Sequence, residues 1–398
     1  MRTLIQNARL LLPGEAVPKN GSILIENDKI VQILPGKLSF PDFGDKLIDA
    51  GGLYLSPGFI DTHTHGAGNA DFMDGSVEAV CQACRTHMRY GTTSIVPTTL
   101  SSRTDELYAN LGNIERAAEI RENMPNILGI HLEGPYFSPA QNGAQDPRYL
   151  KPALAEEYLD LLEKFPSIVK WTIAPEIDGA LEMGRRLSRR GIVASIGHSD
   201  GTDDDVVKAI QNGYSMVTHL FNATSRLTRK NALMYLGVAE SGLLHDELTV
   251  EIIADGRHLP VPLLRLIYKT KGKARICLVT DSMRAAGVDT RESIIGSLSN
   301  GQRVEIEDGV AYMPGRQSFG GSVCTADRLI RTMTHSAGIA LTDAVEMLTL
   351  TPAKTLNLAR CKGSIELGKD ADLVLFDEDI KIKMVMVMGK IWVDQTEA

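Results

Sequence analysis

Short apolar runs alternate with helical patterns along most of the chain, from about residue 57 to residue 351. The segments between the runs carry apolar residues at helical spacing, as in 104–120 and 153–165. This alternation is typical of repeated strand–helix units that build a parallel sheet. The runs lie at 57–65, 92–98, 126–134, 168–176, 191–199, 215–223, 248–256 and 274–282.

Eight strand–helix units predict an α/β fold, a closed (β/α)8 barrel of the TIM type. A doubly wound open sheet shows the same alternation and is the competing architecture. The two ends, 1–56 and 363–398, instead hold strand-like pieces separated by Pro and Gly, and neither end suffices for a core of its own. We predict that residues 1–56 and 352–398 pair into a small β-domain beside a barrel of residues 57–351.

Composition and charge exclude several classes of protein. The 398 residues include 42 Lys and Arg against 50 Asp and Glu, a formal net charge of −8, whereas surfaces for nucleic acid or anionic membranes need clustered basic residues. No apolar run approaches the ~18 residues that span a bilayer, and polar residues interrupt the N-terminal stretch where a signal peptide would need an apolar core. Five scattered cysteines do not form a disulfide framework. We expect a cytoplasmic protein with no nucleic-acid or membrane partner.

Histidine and acidic residues fall repeatedly at the carboxyl ends of the predicted strands, the face where a barrel of this type carries its working groups. His63 and His65 are two apart, so both rings should project from the same face of the first strand. Alone, this pair fits a metal site and a polar strand end equally well. The other side chains predicted at the same rim are His131, Glu133, His198, His219 and Asp281. His131 is expected to orient Glu133, and His87, His245 and His335 are expected at the surface or at helix ends.

These side chains supply nitrogen and oxygen donors for one or two divalent cations, with Glu133 able to bridge them. Zinc, iron, manganese, cobalt and nickel all suit such donors. A metal there would lower the pKa of a bound water to about 7, which favours hydrolysis. Asp281 is the best-placed carboxylate to move the proton of the water, and His258, on a loop, is placed to polarise a substrate carbonyl. The alternatives are that Asp281 serves only as a metal ligand and that His258 lies at the surface.

Motifs spread over nearly the whole chain carry a family resemblance. They are PGFIDTHTHGAGNADFMD, GTTSIVPT, HLEGPYFSP, TIAPE, GHSDGT, HLFNA, IADGRH, VTDSM and TPAKTLNLARCKGSIELGKDADLVLFD. With these motifs the sequence resembles the N-acetylglucosamine-6-phosphate deacetylases of the amidohydrolase superfamily. The resemblance implies a barrel with a β-sandwich made from both termini, a homodimer, and hydrolysis of the acetyl group from a sugar 2-acetamido group.

Carried over by position, the resemblance implies Glu133, His198 and His219 as principal metal ligands, and His63 and His65 as ligands of a second metal. It implies Asp281 as general base and acid and His258 as the residue that polarises the amide carbonyl. The substrate-contacting positions that it implies are Ala144, Asn222, Ala223, Phe319 and Gly320.

The departures from the family pattern concern the substrate. Where family members place an arginine that reaches the sugar phosphate, often across the dimer, this chain has Lys230, with Arg229 beside it. Lysine pairs with phosphate as a point charge but lacks the bidentate fork of arginine. Gln145 stands where the family commonly has a histidine, which would change a contact with a sugar hydroxyl.

We therefore predict a metal-dependent deacetylase that converts N-acetylglucosamine 6-phosphate to glucosamine 6-phosphate and acetate, by metal-bound hydroxide with Asp281 as base and acid. The alternatives are a deacetylase of another N-acetyl amino sugar, another amidohydrolase, or a non-catalytic barrel scaffold. Cyclic-amide hydrolases often use a carboxylated lysine at the end of strand four. This chain ends that strand in Pro175 and Glu176, with Lys170 too early in the strand.

Overall fold

The computed structural model describes residues 1–36, 45–316 and 318–395. In chain order its strands are β1 (Arg2–Leu10), β2 (Lys19–Glu26), β3 (Lys29–Pro35), β4 (Lys46–Asp49), β5 (Tyr54–Pro57), β6 (Phe59–Thr64), β7 (Gly66–Ala67), β8 (Ala70–Asp71), β9 (Thr92–Thr99), β10 (Asn126–Ile127), β11 (Ile130–Glu133), β12 (Ile168–Ile173), β13 (Val193–Ile196), β14 (Tyr214–Val217), β15 (Thr228–Lys230), β16 (Leu233–Tyr235), β17 (Thr249–Ile252), β18 (Ile276–Leu278), β19 (Glu292–Ile295), β20 (Gln302–Glu307), β21 (Val310–Tyr312), β22 (Phe319–Ser322), β23 (Leu373–Phe376), β24 (Ile382–Val387) and β25 (Lys390–Asp394).

The α-helices are α1 (Val77–Arg89), α2 (Thr104–Ala118), α3 (Ala155–Lys164), α4 (Ala180–Arg189), α5 (Asp203–Gln211), α6 (Val238–Leu244), α7 (Val261–Lys271), α8 (Ala326–Arg331), α9 (Leu341–Glu346) and α10 (Leu350–Thr355). Short helical turns occupy Pro139–Gln141, Pro147–Tyr149, Lys273–Arg275, Pro314–Arg316 and Thr332–Ser336. Within the described ranges, no helix combines the length and the apolar character that a bilayer crossing requires.

Eight parallel strands form the barrel in the order β6, β9, β11, β12, β13, β14, β17 and β18, and the two-residue β10 also pairs parallel with β9. Each barrel strand lies within or overlaps one of the eight apolar runs in the sequence. The strands follow one another around the barrel in chain order, which confirms the (β/α)8 prediction and excludes the doubly wound sheet. β6 and β9 are buried along their whole length, as expected for parallel strands covered on both faces.

Individual hydrogen bonds hold the seam between the last barrel strand and the first. The backbone N–H of Asp281 donates to the carbonyl of His63 at 2.8 Å, and that of His65 donates to the carbonyl of Ser282 at 2.8 Å. Farther down, the Thr280 hydroxyl donates to Asp61 at 2.6 Å. The seam therefore joins the chain segments that carry His63, His65 and Asp281, although more than two hundred positions separate them in the sequence.

The helices pack on the outside of the barrel through the apolar faces that their spacing predicts. α1 begins after Ser76, whose hydroxyl accepts from the backbone N–H of Ala79 at 3.2 Å, and it buries Val80, Cys84 and Met88. α4 buries Met183 and Leu187 in the same way. This packing forms one large core around the barrel.

Strands from both termini form one eight-stranded sheet in the described chain. Its order is β25, β24, β23, β5, β1, β2 and β3, with β4 also paired to β1. The N- and C-terminal parts meet where β5 pairs antiparallel with β23. The sheet buries a separate apolar cluster that includes Ile5, Ile23, Leu55, Leu373 and Met384. The predicted small β-domain built from both termini is therefore confirmed, while the boundaries at 56/57 and 351/352 stay a prediction.

Two β elements that were not predicted from the sequence lie outside the barrel strands. β19 to β22 form a four-stranded antiparallel sheet directly after the last barrel strand, and β15 and β16 form an exposed hairpin after the sixth. Both contribute residues to the cavities described below.

Trp171 on β12 is expected to be a stability determinant of the barrel. Its side chain is fully buried, its indole N–H donates to the carbonyl of Gly134 at 2.8 Å, and its ring stacks on that of Tyr136 with centroids 5.8 Å apart. Trp171→Ala should lower the free energy of unfolding by about 3–5 kcal/mol, measured by urea denaturation. The exposed Leu266→Ala should change it by less than about 0.5 kcal/mol. A loss below about 1 kcal/mol for Trp171→Ala would contradict this account.

Candidate active site

The predicted site residues lie at the carboxyl ends of the barrel strands. His63 lies on β6 and Glu133 ends β11, whereas His198, His219 and Asp281 lie just beyond β13, β14 and β18. The last three have φ values of 48°, 30° and 44°. Non-glycine residues rarely adopt this left-handed conformation, which costs about 1–3 kcal/mol each and is concentrated at functional sites. The turns that aim these side chains into the mouth are therefore strained.

Glu133, His198 and His219 form one compact cluster. Glu133 Oε1 lies 3.2 Å from His198 Nε2 and 3.0 Å from His219 Nε2, and the two Nε2 atoms are 3.2 Å apart. All three side chains are buried. One carboxylate oxygen and two imidazole nitrogens at this separation are a donor set that suits a divalent cation.

A second cluster shares Glu133 with the first. His65 Nε2 lies 3.3 Å from Glu133 Oε2 and 3.2 Å from Asp281 Oδ1. His63 Nε2 is 3.4 Å from Glu133 Oε1 and 3.5 Å from Asp281 Oδ1, but it makes no hydrogen bond within the described chain. A buried imidazole nitrogen aimed at two carboxylates without a hydrogen bond fits a metal ligand. The residues of both clusters could therefore hold divalent cations.

Acceptors behind the rings define the orientation of three of the four imidazoles. The Nδ1 atom of His65 faces the carbonyl of Thr98 at 3.2 Å, and that of His198 faces the carbonyl of Gln141 at 2.9 Å. The Nδ1 atom of His63 faces Glu251 Oε2 at 3.2 Å. An acceptor at Nδ1 holds a proton there, so each of these rings turns its Nε2 toward the shared carboxylate and, once Nε2 loses its proton, presents a lone pair to a metal.

Neighbouring histidines keep the carboxylates of the site ionised. Burial by itself would raise the pKa of Glu133, but the charge of His63 and the bonds from His198 and His219 hold that pKa well below its usual range. Burial likewise acts to raise the pKa of Asp281, and His63 and His65 lower it. Both groups can therefore accept protons or bind cations.

The site residues on the wall of a cavity of about 350 Å³ are His65, Glu133, His198, His219 and Asp281, while His63 is fully buried and does not line it. The predicted substrate-contacting residues that line it are Ala144, Gln145, Asn222, Ala223, His258 and Phe319. Gly321 lines the cavity, while its predicted neighbour Gly320 lies beside it within β22. The structure thus brings most of the predicted substrate positions to the metal-ligand clusters.

The two predicted phosphate-binding cations lie elsewhere. Arg229 and Lys230 are exposed on the β15–β16 hairpin, and Lys230 lines a second cavity of about 550 Å³. The two cavities share Ala223 and Arg226. Arg226 therefore brings a positive charge to the candidate active-site cavity, and the sequence did not predict this residue as part of the site.

His258 is buried and is held in the site by a hydrogen bond to a carboxylate, so it does not lie at the surface. Its Nδ1 lies 2.8 Å from Asp255 Oδ2, and the other oxygen of Asp255 accepts from the backbone N–H groups of Arg257 and His258. The His258 side chain is 3% exposed and packs against Phe319 with ring centroids 4.5 Å apart. Burial would raise the pKa of Asp255, but the bonds from His258 lower it. Asp255 lies only three residues before His258 in ADGRH, so this partner of His258 could have been predicted from the sequence.

One further expectation needs correction, and two other side chains make contacts that the sequence did not predict. His131 does not bond to Glu133; its two ring nitrogens bond to the hydroxyls of Thr98 and Thr172 at 3.1 and 2.7 Å. His87 lies in the last turn of α1, as expected for a helix end, but it is fully buried, and its Nε2 bonds to Thr64 at 2.9 Å inside the seam. Gln145 donates to Glu133 Oε2 at 2.7 Å, so it supports a candidate metal ligand in addition to lining the cavity.

Comparison with known proteins identifies the family. The model of the amidohydrolase family matches residues 54–392. The N-acetylglucosamine-6-phosphate deacetylase of Bacillus subtilis is 31% identical over 392 residues, covering 98% of this chain and 96% of that protein. That of Danio rerio is 30% identical and covers 90% of each chain.

Solved structures agree over the same length. The N-acetylglucosamine-6-phosphate deacetylase of Pasteurella multocida superposes with a TM-score of 0.90 at 30% identity, covering 98% of this chain and 99% of that one. A mutant of the Mycobacterium smegmatis enzyme, in complex with N-acetyl-D-glucosamine-6-phosphate, gives a TM-score of 0.88 at 30% identity, covering 98% of this chain and 99% of that one. With the barrel, the strand-end donors and these relatives, the chain belongs to the amidohydrolase family and is a hydrolase of amide bonds.

Proposed function

We propose that this hydrolase is a metal-dependent deacetylase that converts N-acetylglucosamine 6-phosphate to glucosamine 6-phosphate and acetate. The observation that carries the proposal is the convergence of two potential metal-ligand clusters, Asp281 and His258 on one cavity. The relatives that are named for this activity support the proposal.

The ligand set follows from the two clusters. Glu133, His198 and His219 would hold one divalent cation, and His63 and His65 would hold a second with Glu133. A divalent cation bound there supplies Lewis acidity, polarising a carbonyl and lowering the pKa of a water to about 7. Imidazole and carboxylate donors suit zinc, iron, manganese, cobalt or nickel.

Asp281 is the proton carrier in this proposal. Its carboxylate faces both the cavity and His65, and its neighbours keep it ionised. It takes the proton of the attacking water and then gives it to the departing sugar nitrogen, which leaves as a neutral amine.

His258 acts on the acetyl oxygen. Asp255 accepts a hydrogen bond from the Nδ1–H of His258 and fixes the orientation of the ring. When Nε2 carries a proton, it donates to the carbonyl oxygen, on which negative charge develops during attack. The same bond holds the ring against Phe319 at the cavity wall.

Arg226 and Arg316 both line the cavity, and Arg226 is the better placed to bind an anionic end of the substrate because Arg316 is paired with Glu307. Within the described chain the guanidinium of Arg226 makes one hydrogen bond, from Nη2 to the carbonyl of Phe221 at 2.9 Å, and no ion pair. Four of its five N–H groups therefore remain for a phosphate.

The hairpin provides the second route to a phosphate. Leu233, Met234 and Tyr235 are 62%, 52% and 40% exposed on it, an apolar surface that fits contact with a second copy of the chain. In the proposed homodimer, Lys230 and Arg229 would reach the partner's cavity from this hairpin.

A cytoplasmic location of the protein stays a prediction.

Arg226→Ala is expected to raise the KM for the phosphorylated sugar about 10-fold or more, because a hydrogen bond to a charged group contributes about 1.5–3 kcal/mol. The KM for the unphosphorylated sugar should not change. Steady-state acetate release measures both, with the exposed Arg185→Ala on α4 as a control. An equal rise in KM for both sugars would show that Arg226 supports the shape of the cavity and does not bind the phosphate. Lys230→Ala tests the contribution of the hairpin in the same assay.

Acetate release tests the function itself. The substrates are the 6-phosphates of N-acetylglucosamine, N-acetylgalactosamine and N-acetylmannosamine, each beside its unphosphorylated sugar. The proposal expects the fastest turnover with N-acetylglucosamine 6-phosphate. Preference for another sugar would favour the alternative, a deacetylase of a different N-acetyl amino sugar. The departures from the family pattern at Gln145 and Lys230 support that alternative. Equal rates with and without phosphate would make the assignment of Lys230 and Arg229 wrong.

The residues on and just after the fourth barrel strand, β12, do not favour hydrolysis of a cyclic amide. Glu176 accepts from the Ser199 hydroxyl at 2.6 Å and from the Asp200 backbone at 2.7 Å, outside both ligand clusters. Lys170 is paired with Glu251 inside the barrel. Neither residue replaces the carboxylated lysine on which such hydrolases often depend.

A further inference from the structure

A buried ion pair lies inside the barrel beneath the metal-ligand clusters. Lys170 on β12 and Glu251 on β17 have side chains that are 1% and 0% exposed, and they form a direct ion pair. Replacing such a pair with apolar residues of similar volume is often neutral or stabilising, because both charges lose their hydration on burial. Barrel stability alone therefore does not explain the pair.

The pair is connected to one histidine of the candidate metal site. Glu251 Oε1 accepts from Lys170 Nζ and from the Thr62 hydroxyl, the latter at 3.0 Å. Glu251 Oε2 lies 3.2 Å from His63 Nδ1. The three side chains that contact this carboxylate, Lys170, Thr62 and His63, can all donate a hydrogen bond to it.

His63 differs from the other oriented histidines in the nature of its acceptor. Backbone carbonyls face the Nδ1 atoms of His65 and His198. A carboxylate side chain faces that of His63, and the opposite Nε2 is buried and makes no hydrogen bond within the described chain. A carboxylate behind a ligand histidine fixes the tautomer and makes the ring a stronger donor to a metal.

We propose that Glu251, neutralised by Lys170, is a positioning residue that prepares His63 to bind a second divalent cation together with His65 and Glu133. The inference rests on the metal dependence in the proposed function. Lys170 keeps a full carboxylate in the barrel interior, Glu251 holds the proton of His63 on Nδ1, and Nε2 is left to bind the cation. Removing a partner of this kind typically costs 10–100-fold in metal affinity.

Zinc titration of the full-length protein, first freed of metal by a chelator, tests the proposal. Two double variants form a matched pair. Both Lys170→Met/Glu251→Met and Lys170→Met/Glu251→Gln remove both charges, so neither leaves a lone buried ion. The glutamine keeps an oxygen that can accept from His63 Nδ1, and the methionine does not. Lys170→Met/Glu251→Leu replaces the methionine variant if that protein fails to fold, as judged by circular dichroism and thermal denaturation.

Wild type is expected to bind two zinc ions per chain, by calorimetry and by mass spectrometry of the metal after gel filtration. The methionine variant should keep one site at wild-type affinity and lose at least about 10-fold at the other, while the glutamine variant retains most of the second affinity. A single zinc in wild type, wild-type titration of both variants, or equal weakening at both sites would each overturn the proposal.

The titration uses no substrate, so its result is separable from that of the proposed function. Wild-type protein that binds two zinc ions but releases no acetate from any sugar phosphate would refute the deacetylase while leaving the role of Glu251 intact. The double variant Lys362→Met/Asp372→Asn removes a buried ion pair of the terminal sheet and should leave zinc binding unchanged.

Discussion

Changing Asp281 to asparagine is expected to lower kcat for acetate release by at least ~100-fold, the usual effect of losing a general acid and base. Asparagine keeps the size of the side chain and an oxygen toward His65, so zinc content should remain that of wild type. It has no basic carboxylate with which to take the proton of the water, and no acid to give the sugar nitrogen. Steady-state turnover and the metal content of the purified variant measure the two effects separately.

A variant of an exposed carboxylate after the same strand serves as the comparison. Asp289→Asn changes a residue outside the cavity and should keep wild-type turnover. Near-normal turnover in Asp281→Asn would refute the assignment of Asp281 as proton carrier. Loss of turnover together with loss of zinc would show that Asp281 serves mainly as a metal ligand, the alternative that the sequence left open.

Removing Glu133 should have the larger effect, because both ligand clusters contain this residue. Glu133→Ala is expected to lower kcat about 1000-fold or more, since without a cation the pKa of water remains 15.7 and not about 7. Zinc affinity should fall at both sites. Calorimetry and acetate release, with circular dichroism to confirm folding, provide the measurements.

His65→Ala is the matched control for Glu133→Ala. His65 belongs to the second cluster alone, so its loss should weaken one zinc and spare the ion held by Glu133, His198 and His219. If Glu133→Ala retained one zinc at wild-type affinity, the shared position of this carboxylate would be wrong. Equal loss of both ions in the two variants would mean that the clusters act as one site.

The sequence predicted the barrel well because each strand is a short buried run between helical segments of clear periodicity. The two-residue spacing of His63 and His65 also placed both rings on one face of β6 without any tertiary information. The terminal sheet was predictable because neither end alone could bury its apolar face. The β19–β22 sheet was not predicted, because its short alternating segments lack the strand–helix alternation by which the barrel strands were recognised.

The partners of the site residues were much less predictable. Asp255 lies three residues from His258, so the local sequence could have predicted this contact. Arg226 had no comparable signal, because its role depends on how the loop after β14 turns toward the cavity. The placement of Lys230 on an exposed hairpin was equally hidden, since equal spacing from HLFNA says nothing about where a hairpin projects.

The sequence by itself determined the order of the strands and the face on which the imidazoles and acids emerge, because strand periodicity is local. The tertiary structure decided which acceptor stands behind each ring. Glu251 meets His63 across 188 positions of chain, through strands that are not neighbours in the barrel order from β6 to β18. Such a contact depends on barrel closure and on the register of every intervening strand pair, and neither property is encoded in any local pattern.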